Sequence, residues 1–181
     1  MGFTLHGRRP APARRASDRD APAATELRRD ALDALAQRLV GVRPLGRSLA
    51  LVALDVDALD DVAEHLGRDV ADALLAGIAR QLDHAVGDGS MHRLGPAEFA
   101  LLLADSTLDD AETLLATLQA SFEPPDGAER VTLTAGVTEL ADGEDAEGVL
   151  GRAERALRQA RQVGPGTVVV AHTGPRTPRR A

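Results

Sequence analysis

The chain has 181 residues, 44% of them hydrophobic, with 3 Phe and no Trp, Tyr or Cys. That length supports about one domain with a sizeable core, which must be built from Leu, Val and Ala, while disulfides and Cys-based zinc sites are excluded. The net charge is −7; all basic side chains are Arg, residues 1–25 and 172–181 each carry +3, and residues 26–171 therefore hold −13 and would repel nucleic-acid phosphates.

Residues 1–22 are rich in Ala, Pro and Arg without periodic apolar residues, which predicts a disordered basic leader. From Thr25 to Leu39 the residues Leu27, Ala31, Leu32, Leu35 and Leu39 recur with helical spacing. Pro44 and Gly46 break the chain, and Ser48 to Val56 is a nearly continuous apolar run suited to a central strand. Asp57 is placed to cap a short helix from Ala58, which Gly67 would end. A longer helix to about Val86 carries Val70, Leu74, Ile78 and Leu82 on one face. Gly87-Asp88-Gly89 is a turn, followed by a hairpin of Met91–Leu94 and Phe99–Leu103.

Ser106-Thr107 with Asp109-Asp110 is a capping signature before a helix over Leu108–Phe122. Val131, Leu133, Ala135 and Val137 alternate with Thr132, Thr134, Gly136 and Thr138, the pattern of a half-buried strand. Ala146, Val149, Leu150, Ala153, Leu157 and Ala160 mark the last long helix; Gly164-Pro165-Gly166 breaks it, and Thr167–Ala171 closes the domain as a strand. Residues 172–181 read as a second disordered basic segment. The domain is expected over 23–171 in the order α-β-α-α-β-β-α-β-α-β. The five His show no ligand spacing, no apolar run approaches the roughly 18 residues of a membrane span, and the N-terminus has no continuous apolar signal segment. A cytoplasmic protein is the simplest expectation.

The loop Gly95-Pro96-Ala97-Glu98-Phe99 resembles the signature hairpin of the GGDEF family, the diguanylate cyclase domains, whose motif reads Gly-Gly-Asp/Glu-Glu-Phe. Four further segments are similar in order and spacing: Leu54-Asp55-Val56-Asp57, Leu66-Gly67-Arg68-Asp69 with Asp72, Thr132 to Val137, and Arg152-Ala153-Glu154 through Arg161. Arg93-Leu94-Gly95 matches the entry to the hairpin. The resemblance covers about residues 25–171. It implies an α+β fold, palm-like as in polymerases and class III nucleotide cyclases, with a central, mainly antiparallel five-stranded sheet flanked by helices.

The resemblance also implies what an active site would need. Family members join two GTP molecules, one on each of two facing domains, into cyclic di-GMP. A divalent metal there needs clustered carboxylates. Asp55 keeps the strand-end acid and is the only vestigial metal candidate, but the third motif position is Ala97, whose methyl group cannot hold metal. Glu98 is one residue further on and is expected to point elsewhere on the hairpin. Pro96 has no N–H to offer a phosphate. Of the guanine-reading pair, Asp72 survives and the Asn position is Ala63. A phosphate-binding Lys position is Asp60; another is Arg161; the Arg four residues later is Pro165. The product-feedback motif falls on Val86-Gly-Asp-Gly89 without its charged members.

Each retained residue also has an ordinary role open to it: Asp55 as a strand terminus or helix cap, Gly95-Pro96 as a tight turn, Asp72 and Arg161 as solvated helix charges. The expectation is a vestigial nucleotide pocket of Asp55, Asp72, Gly95, Glu98 and Arg161. It has no catalytic residues, metal or cofactor. The domain is expected to act in bacterial signalling as a regulatory or protein-interaction module, through a protein partner or self-association, without nucleic acid. The alternative is a non-catalytic sensor of GTP or cyclic di-GMP.

Overall fold

The computed structural model describes residues 17–42, 46–87, 90–122, 126, 128 and 131–173. The elements follow the expected order: α1 (Ser17–Val42), β1 (Leu49–Val56), α2 (Leu59–His65), α3 (Arg68–Val86), β2 (Met91–Arg93), β3 (Glu98–Ala104), α4 (Leu108–Ser121), β4 (Leu133–Glu139), α5 (Ala146–Val163) and β5 (Val168–Ala171). The first helix starts eight residues ahead of Thr25, so residues 17–22 of the expected leader are its opening turns. The rest of that leader, and residues 174–181 of the expected tail, lie outside the described residues.

The five strands form one sheet in the order β2-β3-β1-β4-β5. Only the β4–β5 pair is parallel. The fold is therefore α+β with a mainly antiparallel sheet. The pleat of β1 divides the core in two. Ala50, Val52, Leu54 and Val56 join Phe99 and Leu101 of β3, Ile78 and Leu82 of α3 and Leu115 of α4 on one face. Leu49, Leu51 and Ala53 join Ala100 and Leu102, Leu35 and Leu39 of α1, and Leu150 and Leu157 of α5 on the other. The near-continuous apolar run of β1 is thus that of a central strand covered on both sides.

Strand β4 departs from the half-buried expectation. Residues Leu133 to Thr138 are all buried, including Thr134 and Thr138. The polar side of the alternation is covered by α5 rather than by water. Buried hydroxyls need partners, and both have them. Thr138 donates to Ala171 O at 2.9 Å and accepts from Arg152, while Thr134 donates to Asp57 Oδ2 at 2.7 Å. Arg152 itself pairs with Glu144 and donates to Glu139 O at 2.9 Å. Gly136 explains how α5 comes so close. A Cβ built there would lie 2.2 Å from Leu157 N and 2.3 Å from Ala153 O, so only glycine fits beneath the helix.

The start of α2 has another cause than the one expected. Ala58, not Asp57, is the N-cap of α2; it lies in the left-handed region at φ 60 and makes no side-chain cap bond. Gly67, at φ 99, directly follows the Leu66 C-cap of α2, as expected, and also serves as the N-cap of α3. The Thr107 signature does form a capping box with Asp110, whose backbone N–H donates to Thr107 Oγ1 at 3.2 Å.

Candidate functional site

The site is built where the C-terminal end of β1, the β2–β3 hairpin and the C-terminal turn of α5 meet. Asp55 and Glu98 are direct partners in the antiparallel register of β1 and β3. Residues opposite one another in a register share a face of the sheet, so both carboxylates sit on the face covered by α5. Glu98 was expected to point elsewhere; the register places it beside Asp55. Two like charges in that position repel. Arg161, in the last turn of α5, lies between them: its Nη2 is 2.9 Å from Asp55 Oδ2, its Nε donates to the same oxygen at 3.1 Å, and its Nη2 also donates to Glu98 Oε1. The guanidinium therefore bridges the pair while Arg161 itself stays exposed.

The electrostatics follow the geometry. Burial pushes the Asp55 carboxyl above its ordinary value; Arg161 opposes that shift, and the charges of Glu98 and Asp57 add to it. Burial works against the charge of Arg161, but Glu98 and Asp55 outweigh it and hold the guanidinium above its ordinary value.

The neighbouring carboxylate is a structural joint. Asp57 Oδ2 accepts from Thr132 Oγ1 at 2.6 Å, Thr134 Oγ1 at 2.7 Å and the Gly166 backbone N–H at 3.1 Å. It ties the end of β1 to β4 and to the α5–β5 loop. Its three donors are what keep it from capping α2. Sequence reasoning read Asp57 as a cap; the run of threonines in β4 was the signal for a buried acceptor nearby.

The hairpin is held by its own residues. Leu94 N–H donates to Glu98 O at 2.8 Å and Gly95 N–H to the same oxygen at 3.3 Å. Gly95 is buried, and a Cβ there would lie 3.3 Å from Glu98 Oε2, so the glycine makes room for the Glu98 side chain. Arg93 donates to Pro96 O, and its guanidinium carbon lies 5.2 Å from the centroid of the Phe99 ring. Ala97 uses its carbonyl to accept from Val56 N–H at 3.1 Å, and its methyl packs against the core face opposite the Asp55–Glu98–Arg161 trio. Asp72 is exposed on α3 and makes no bond to the trio. Ala63 packs against the same core face as Ala97. The Val86–Gly89 stretch lies partly outside the described residues.

A divalent cation of the kind the family's chemistry uses wants about six oxygen ligands. The trio offers two carboxylates, both already engaged by Arg161, and among the described residues no group of three His, Cys, Asp or Glu could hold a metal. These residues fit a guanidinium, not a hydrated divalent ion. Among the described residues no helix is long and apolar enough to cross a membrane.

Known proteins agree with this architecture. Diguanylate cyclase VdcA of Vibrio cholerae is 27% identical over 133 residues, 68% of this chain and 39% of that protein. Diguanylate cyclase DgcP of Pseudomonas aeruginosa is 30% identical over 132 residues, 70% of this chain and 20% of that protein. The chain thus spans well under half the length of these curated relatives. Among solved structures, the active GGEEF domain of a diguanylate cyclase from Vibrio cholerae superposes with a TM-score of 0.71 at 20% identity, covering 81% of this chain and 97% of that one, a likeness of fold. Diguanylate cyclase SiaD of Pseudomonas aeruginosa, solved with its activator SiaC, gives 0.63 at 30% identity over 84% of this chain and 58% of its own. The family described as "Diguanylate cyclase, GGDEF domain" matches residues 23–166. With that match over most of its length and the same sheet and hairpin, the chain belongs to the GGDEF domain family.

Proposed function

We propose that this GGDEF domain does not make cyclic di-GMP and serves as a regulatory or protein-interaction module in bacterial signalling. One observation carries the reading. Asp55, the strand-end acid that a catalytic member would direct at a cation, is bridged together with Glu98 by Arg161 of the same chain. The third position of the motif, an acid in catalytic members, is Ala97, packed against the core. A divalent ion would have to displace a fixed, permanently charged guanidinium to enter. Two part-buried carboxylates already neutralised by that guanidinium offer little in return. Arg161 also stands at the family's phosphate-binding cation position. While it neutralises two acids, it has little positive charge to offer a triphosphate. A protein partner fits the family's habits: SiaD was solved bound to its activator protein.

The test is turnover. The domain is incubated with GTP and Mg²⁺, or GTP and Mn²⁺, and the products are separated by chromatography. No cyclic di-GMP above a protein-free control is expected, and its formation would overturn the reading.

A second reading is a non-catalytic sensor. The GGDEF domain of DgcB from Caulobacter crescentus, which shares this fold, was solved in complex with cyclic di-GMP. Calorimetry with GTP, GDP and cyclic di-GMP separates the two. A micromolar affinity for any of them favours the sensor; no heat at high ligand concentration favours the protein-interaction module.

A further inference from the structure

Away from the trio, α3 presents an open groove of about 920 Å³. Its lining includes Val70, Ala73, Leu74, Gly77 and Ile78 of α3 and Phe122 at the end of α4. Among the described residues, two of the five exposed large hydrophobic residues belong to this end of the molecule: Val70, 37% exposed, and Leu66, 37% exposed, just before α3. Among the described residues nothing fills the groove. Gly77 lies mid-helix, where glycine costs about 1 kcal/mol relative to alanine. Its own fold does not require it, since a Cβ there would meet nothing nearer than Arg80 Nη2 at 3.9 Å. Glycine and Ala73 one turn earlier leave space for a second backbone to approach α3 closely.

The charges beside the groove identify that second backbone. At 100° per residue, Asp69 and Arg80 fall on the same edge of the face whose centre runs through Val70, Ala73 and Gly77. Asp69 is near the N-terminal end and Arg80 lies three turns on. Among the described residues neither has an ion-pair partner. Two copies of α3 lying antiparallel about a two-fold axis bring each residue i opposite residue j of its partner, with j opposite i. Centred between Leu74 and Leu75, that arrangement sets Asp69 against the second copy's Arg80 twice, on the same edge, and brings Ala73 close to the second copy's Gly77. A parallel two-fold arrangement would place the two Asp69–Arg80 edges on opposite sides of the contact and form no such pairs. The face is thus complementary to its own antiparallel image.

We propose that the α3 groove is a homodimer interface, in which a second copy of this chain seats its own α3 antiparallel across Gly77, with reciprocal Asp69–Arg80 pairs at the edge. The surface is separate from the Asp55–Glu98–Arg161 trio. It stands whether or not the domain turns over GTP, so failure here leaves the proposal of catalytic inactivity untouched.

The test is sedimentation equilibrium on the purified full chain, loaded from 1 to 200 μM (on the order of the range that spans weak self-association). A concentration-dependent rise from 19.0 kDa toward twice that mass is expected. Asp69→Arg sets two positive charges against each other at each edge and should weaken the dimer at least tenfold. Arg80→Asp should do the same with two negatives. The double variant Asp69→Arg with Arg80→Asp restores both pairs in reversed sense and should recover dimerisation. Circular dichroism melts of all three verify that the fold is retained, and both positions are exposed or at the groove rim. A monomer throughout the range overturns the proposal. So does a dimer indifferent to the single reversals, which uses another face, or a double variant no better than the singles.

Discussion

Arg161 shows how much depends on which neighbours one side chain meets. It joins two carboxylates that the sheet register forces together. Arg161→Ala leaves Asp55 and Glu98 facing each other without a counter-charge. An acid whose folded pKa lies above its unfolded value weakens the fold as pH rises through that interval, because the unfolded chain releases the proton more readily. Asp55 is already in that position, through burial first, and losing Arg161 widens the interval. The variant should therefore lose on the order of 1 kcal/mol at pH 7, the modest value of a half-exposed network, and less at pH 4.5. Adding Glu98→Gln should recover part of the loss. Chemical denaturation at the two pH values checks both; an equal loss at each would mean that packing, not charge, is what Arg161 supplies.

Among the elements, α5 decides where that guanidinium goes, and Gly136 decides where α5 goes. The helix lies against β4 with Leu157 and Ala153 backbone atoms where a side chain at position 136 would stand. Backbone cannot rotate aside as a flexible side chain can, so Gly136→Ala must lift the helix. The expected cost is near the roughly 3 kcal/mol upper end for an overpacked core, read as a fall in denaturation midpoint with unchanged m-value. The other end of α5 is fastened to α1: Arg28 donates to Glu154 at 2.9 Å and Glu147 at 2.8 Å, and those two acids hold its guanidinium above its ordinary pKa. The helix periods of α3, α4 and α5 and the capping box at Thr107 were all legible beforehand, because apolar spacing and caps act within a few residues. Two local readings failed where a distant group intervened. Asp57 was drawn from its cap by Thr132, Thr134 and Gly166. The polar face of β4 lies under α5.

For the molecule as a whole, the two halves of the core share one strand. Alternate residues of β1 serve opposite faces, so neither face can loosen without disturbing the register that positions Asp55. Leu35→Ala, which empties a side chain only 1% exposed on the α1 side, should cost about 2–5 kcal/mol. It should lower amide-exchange protection in β1 and β3 as well as in α1, within a single unfolding transition. Protection lost in α1 alone would show that the faces unfold separately. The order of helices and strands could be read from the chain, since each is specified by its own periodicity and its own glycines and prolines. Ala97 at the motif's third position and the presence of Asp55, Glu98 and Arg161 were equally plain in the letters. That these last three are joined could not be read there. Residues 55, 98 and 161 meet through an antiparallel register and a helix docked over a glycine, and both arise from contacts between segments too far apart in the chain for any local pattern to record.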